Sequence, residues 1–143
     1  MVVNKSSGIT LTDDLTTDSL TISAGNFDAN DFNVIVSGDV LMSAGTRTWM
    51  GAGTWTCGGN WNHTNCTNLY GETSELIFTG SSKTLRFFNS LIKAPYNVTI
   101  ASGASVTFTG QHPWIENRLK VIGTVTSTAI YIMELSELTV EAT

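Results

Sequence analysis

Pairs of apolar residues that flank one other residue return about every 21 positions along this chain, and that period restricts the possible folds more than any other feature. The pairs are Val34/Val36, Trp55/Cys57, Leu76/Phe78, Val98/Ile100, Leu119/Val121 and Leu138/Val140, with first members 21, 21, 22, 21 and 19 residues apart. Alternation with period two marks a strand that buries one face. A fixed period of this length marks one coil of a solenoid per repeat.

Two further columns share the period. One runs Leu20/Ile22, Val40/Met42, Trp61, Leu85/Phe87, Val106/Phe108 and Ile130/Ile132, in steps of 20, 21, 24, 21 and 24. The other runs Phe27, Trp49, Leu69, Leu91, Trp114 and Leu135. Three phase-locked columns predict a parallel β-helix of about six coils with three faces, a single β-solenoid domain over 1–143. Strands of successive coils would then pair about 4.8 Å apart, giving a rod roughly 30 Å long. Ile9/Leu11 is expected to open the first coil, and its distance of 25 to Val34 implies a longer early turn. The longer steps are assigned to turns at Tyr70–Glu75 and Thr124–Thr128. The alternative is a β-sandwich or jelly roll, which also has many short strands. It gives no reason for three columns to stay in phase. A hexapeptide solenoid fits poorly, because its coil is close to 18 residues.

Composition agrees with short strands and tight turns. The 143 residues include 22 Thr, 14 Ser, 11 Asn and 13 Gly, and only 13% are charged. Thr favours strands, while Gly and Asn favour turns. No capped stripe of period 3.6 predicts a helix. The stretch 133–142 holds three Glu, yet Leu138/Val140 keep the alternation and it reads as strand. The net charge of −5, with bases scattered singly, excludes the clustered footprint of a nucleic-acid binder. No run of 18 apolar residues predicts a membrane span. The opening MVVNKSSGIT has no apolar signal region. The expectation is therefore assembly without secretion, or a signal already removed.

Candidate chemistry is sparse. The acids are Asp13, Asp14, Asp18, Asp28, Asp31, Asp39, Glu72, Glu75, Glu116, Glu134, Glu137 and Glu141. Asp18 and Asp39 lie 21 apart and would sit on adjacent coils, while Asp28 and Asp31 flank Asn30 in a turn. That group could be read as a Ca²⁺ site. Tight turns recruit the same residue types, and solvated turns are the favoured reading. His63 and His112 are more than two coils apart. No phosphate-binding loop pattern occurs. No catalytic, cofactor or metal residue is assigned, and the chain is expected to be non-enzymatic. Cys57 falls on the Val34 column as a small buried hydrophobe, and Cys66 lies in the turn 62–68. A bridge between them would close a short loop, but they belong to different faces, and free thiols are favoured. Trp49, Trp55, Trp61 and Trp114 all fall on the three columns. They are expected to pack inwards as aromatic ladders, not outwards as a sugar-stacking strip. The sequons at Asn4, Asn62, Asn65 and Asn97 are expected by chance in so Asn- and Thr-rich a chain.

Longer runs carry a resemblance. Gly53-Thr-Trp55-Thr-Cys-Gly-Gly59-Asn60-Trp61 is followed by Leu76-Ile-Phe78-Thr-Gly80, then Tyr96-Asn97-Val98-Thr99-Ile100 and Ala104-Ser-Val106-Thr-Phe108-Thr-Gly110. From about Leu20 to Gly110 the chain resembles the repeats of β-solenoid surface proteins of phage particles and of large bacterial adhesins. The resemblance implies a homotrimeric or stacked structural protein on a particle or cell surface. The chain departs from it in being short, without a signal and without visible attachment or trimerisation domains.

The reading that follows is a virion structural protein, a capsid decoration or short fibre or spike component that self-assembles on a particle surface. Its expected partners are further copies, as a trimer or stack, and other virion or surface proteins. No helix caps the solenoid before Ile9 or after Val140, so terminal strand edges are expected to recruit neighbours. The alternatives are an extracellular adhesin or filament subunit and a carbohydrate-binding or carbohydrate-cleaving β-helix with glycans as partners.

Overall fold

In the computed structural model, the residues described are 1–87, 93–110, 114–127 and 137–141. Among them every regular element is a strand, and the strands pair in parallel. The chain winds through three sheets in turn, and each strand pairs with its counterparts one coil away. The sheets have seven, five and seven strands, so the solenoid makes about six turns. The sandwich alternative fails on the pairing: a sandwich or jelly roll is built of antiparallel sheets, whereas here each strand lies parallel to its counterpart one coil away.

The Val34 sheet is built on the register read from its apolar pairs. Val34 pairs with Trp55, Trp55 with Leu76, Leu76 with Val98, Val98 with Leu119, and Leu119 with Leu138. One rung earlier Leu15 pairs with Val34, so the column opens at Leu15 and not at Ile9. Ile9 instead pairs with Phe27 in the second sheet, and no long early turn exists. Ile9-Thr-Leu11 has the same alternation as a Val34-type strand. Parity alone does not say which wall a pair belongs to.

The Leu20 sheet begins with Val3 against Ile22 and continues through Leu20, Val40, Trp61 and Leu85. Leu85 then faces Phe108, not Val106, and Phe87 faces Gly110. A slip of two residues keeps every side chain on its own face, which is why the apolar pattern does not reveal it. Gly110 has a φ of 111°, and a Cβ there would come within 2.4 Å of the Phe87 carbonyl oxygen. Only glycine allows that rung. The partner of Val106 on the next rung is Val125. Thr124–Ser127 is thus a strand and not the turn expected there, while Ile130/Ile132 lie outside the described residues. The longer step near Leu85 also has a different origin. Three residues separate Cys57 from Trp61, whereas six separate Phe78 from Leu85, so the added residues sit at the Thr79–Ser82 corner. The spacing across Tyr70–Glu75 matches that of the preceding coil.

The interior is filled from all three walls. Phe27 meets Trp55 edge-on at 5.8 Å, Trp55 meets Trp61 at 5.6 Å, and Phe87 meets Phe108 at 5.3 Å. Each indole N–H inside finds an acceptor: Trp55 donates to the Met50 carbonyl and Trp61 to His63 Nδ1, both at 3.0 Å. Burying aromatic rings with their polar tips satisfied adds apolar burial at little desolvation cost. At the last described rung Leu138 and Val140 are 59% and 68% exposed.

Candidate functional site

Asp14, Asp31, Asp39 and Glu72 serve the corners. Asp14 accepts the Asn33 backbone N–H at 2.8 Å and the Asn33 amide at 3.1 Å, and the Asn33 side-chain oxygen accepts the Thr54 N–H at 3.0 Å. Asp39 accepts the Asn60 backbone N–H at 2.7 Å and the Asn60 amide at 3.1 Å. Asn60 in turn accepts the Thr84 N–H at 3.0 Å. Asp31 accepts the Ala52 N–H, and Glu72 accepts the Gly51 N–H, each at 2.7 Å. In every case donor and acceptor are about one coil apart, so the side chain latches one turn to the next. A solenoid corner leaves backbone N–H groups outside any sheet ladder, and short acceptor side chains fill that need. A charged acceptor makes the stronger bond.

The acids singled out for position are therefore spread over different corners. Asp18 makes one long contact, 3.5 Å, with the Ser37 hydroxyl, while Asp39 holds Asn60. Asp28 accepts the N–H of Asn30 within its own turn, whereas Asp31 reaches the next coil. Among the described residues no three His, Cys, Asp or Glu side chains group as metal ligands. All six Asp precede Arg47 with Lys5 as their single countercharge, so the whole net charge of −5 resides on the first coils.

His63 is buried, and its ring packs edge-on against Phe87 at 5.9 Å. His112 lies outside the described residues. Cys57 and Cys66 are both buried, and the two thiols are not bridged to each other. Burial pushes the Cys57 thiol up to about 11, with the Asp39 charge adding to the rise. The Asn62 sequon is turn chemistry: Asn62 Oδ1 accepts both the N–H and the hydroxyl of Thr64.

The tryptophans divide. Trp55 and Trp61 are interior, as expected. Trp49 is not: its neighbour Thr48 takes the inward position between Phe27 and Leu69, and Trp49 turns outwards, half-buried. It stacks on Tyr70 with ring centroids 5.1 Å apart and planes 24° from parallel. Trp114 is half-buried while the next residue, Ile115, is fully buried. On the five-stranded sheet Lys93 pairs with Leu69, the place expected for Leu91, which lies outside the described residues, as does Leu135. The signal for Thr48 was present in the sequence as the centre of Arg47-Thr48-Trp49, but hydrophobicity ranked Trp49 above it.

Two surfaces remain as candidate sites. The outer face of the Phe27 sheet carries two adjacent columns, Asn26–Arg47–Asn68 and Asp28–Trp49–Tyr70. A shallow groove of about 410 Å³ crosses the Leu20 sheet, lined by Ser19, Thr21, Asp39, Asn60, Asn62 and Arg86 among others. Comparison with protein-family models, curated proteins and solved structures finds no match to this chain.

Proposed function

We propose that this chain is a non-enzymatic structural protein, a capsid decoration or short fibre or spike component that assembles with further copies on a particle surface. The observation that carries the reading is the corner latching. Asp14, Asp31, Asp39 and Glu72 are committed to tying coil to coil, which suits a stiff, polar-skinned spacer. The particle surface itself rests on the resemblance of the Leu20–Gly110 repeats. Mass measurement in solution together with imaging of the assembled form tests the reading. Species larger than one chain, ordered around a common axis, are expected. A monodisperse monomer at all accessible concentrations would remove the assembly role.

A second reading, a carbohydrate-binding β-helix, draws on the groove of the Leu20 sheet, where Asp39, Asn60, Asn62 and Arg86 set planar polar groups beside the apolar Leu41. A glycan array against the wild-type chain and Arg86→Ala decides it. Saturable binding lost in the variant would favour this reading over the spacer.

A further inference from the structure

We infer that the outer face of the Phe27 sheet is a contact between two copies of this chain, related by a two-fold axis, with Asp28 of each opposite Arg47 of the other. The inference rests on the assembly reading above and names the surface that would serve it.

Three observations single out this face. Its outward positions bring Trp49, Tyr70 and Arg47 together on neighbouring strands, the residue types that dominate binding energy at protein interfaces. Its charges are unspent. The Arg47 side chain forms no hydrogen bond or ion pair among the described residues, and the Asp28 carboxylate holds only the N–H of Asn30. The outer face of the Val34 sheet differs, because Arg118 is paired to Glu75 and Lys120 to Glu141, each at 2.6 Å. Finally, the arrangement is self-complementary. Asn26 sits opposite Arg47 and Asp28 opposite Trp49 on adjacent rungs, so Asp28 and Arg47 stand on a diagonal of the face. A two-fold axis lying in the contact plane across that diagonal exchanges their positions. One contact then forms two Asp28–Arg47 pairs, as an isologous interface requires. The aromatic pair lies beside them. Because Trp49 and Tyr70 spend one ring face on each other, they present a rigid apolar block, which loses little side-chain entropy when covered.

The test uses charge reversal in separate copies, read by sedimentation velocity, with thermal melts as the folding control. Arg47→Asp alone sets Asp28 against Asp, and Asp28→Lys alone sets Lys against Arg47. Each is expected to weaken self-association on the order of 100-fold. An equimolar mixture of the two restores both pairs, so a species of one copy each should reappear with near wild-type affinity. Tyr70→Ser, which leaves the Asp28–Asn30 turn intact, should weaken association about tenfold and covers the case of an unfolded Asp28→Lys chain. Wild-type association that none of these substitutions alters overturns this face but leaves the assembly reading standing. Folded single variants that fail to recombine overturn the Asp28–Arg47 pairing. A wild-type chain that stays monomeric overturns the assembly reading and this contact together.

Discussion

The Val34 sheet and the Phe27 sheet wind around the same interior, yet they are built on different terms. Each full rung of the Val34 sheet sends two apolar side chains inwards, such as Leu76 with Phe78 or Val98 with Ile100. A rung of the Phe27 sheet is two or three residues long and sends in one: Phe27, Thr48, then Leu69. Two inward residues per rung set register and face by burial alone. One cannot, and the shorter wall depends on the latches at its edge, Asp31 to Ala52 and Glu72 to Gly51. The same economy tolerates a defect. The hydroxyl of Thr48 is buried without a hydrogen-bond partner, inside a column where its neighbours are Phe27 and Leu69. A wall held by burial is legible and intolerant, whereas a wall held by its corners is irregular and leaves its outer face free for other uses.

The severest way to break this comparison is a charge in the Val34 sheet. Phe78→Asp or Ile100→Asp places a carboxylate where nothing can pair with it, and loss of the folded state is expected. Circular dichroism and urea unfolding check this; a soluble variant melting like wild type would mean that the inner columns do not hold the rod together.

Next comes alkali. Cys57 belongs to the Val34 sheet, and its thiol is raised from an ordinary value of 9.0 to about 11. Between those values the folded chain holds a proton that the unfolded chain has released. The associated stability is therefore complete below pH 9.0 and lost as pH rises towards about 11. The full effect is on the order of 2–3 kcal/mol. Unfolding midpoints of wild type and Cys57→Val, compared across that window, should show the steeper decline in wild type.

Removing a latch tests the other wall. Asp31→Ala should cost about 1–2 kcal/mol, because the Ala52 N–H is left to water and no apolar area is lost. A midpoint shift in urea at unchanged slope measures it. A cost near zero would mean that the corners do not hold this wall.

Thr48→Val sharpens the comparison in the opposite direction. The swap keeps the shape and removes the orphan hydroxyl, so a gain of about 1 kcal/mol is expected, read as a raised melting temperature. Destabilisation would show that the hydroxyl has a partner in solution. Smallest of all is Thr107→Ala, on the outside between the buried Val106 and Phe108, where a change within about 0.5 kcal/mol is expected by the same unfolding measurement.

The winding is legible in residue spacing: an all-β chain, a coil near 21 residues, and the inward column of the Val34 sheet from Val34 to Leu119. Those are properties of spacing, and spacing survives because each rung must bury two residues against the next. Packing between coils sets what spacing leaves open: Ile9 joins Phe27, Leu85 faces Phe108, and Thr48 points inwards while Trp49 stacks outside on Tyr70. It also makes Asp14, Asp31 and Asp39 latches. Hydrophobicity ranks residues by how much they gain from burial, but in a strand of three the inward direction is set by which backbone groups the neighbouring coil leaves to be paired.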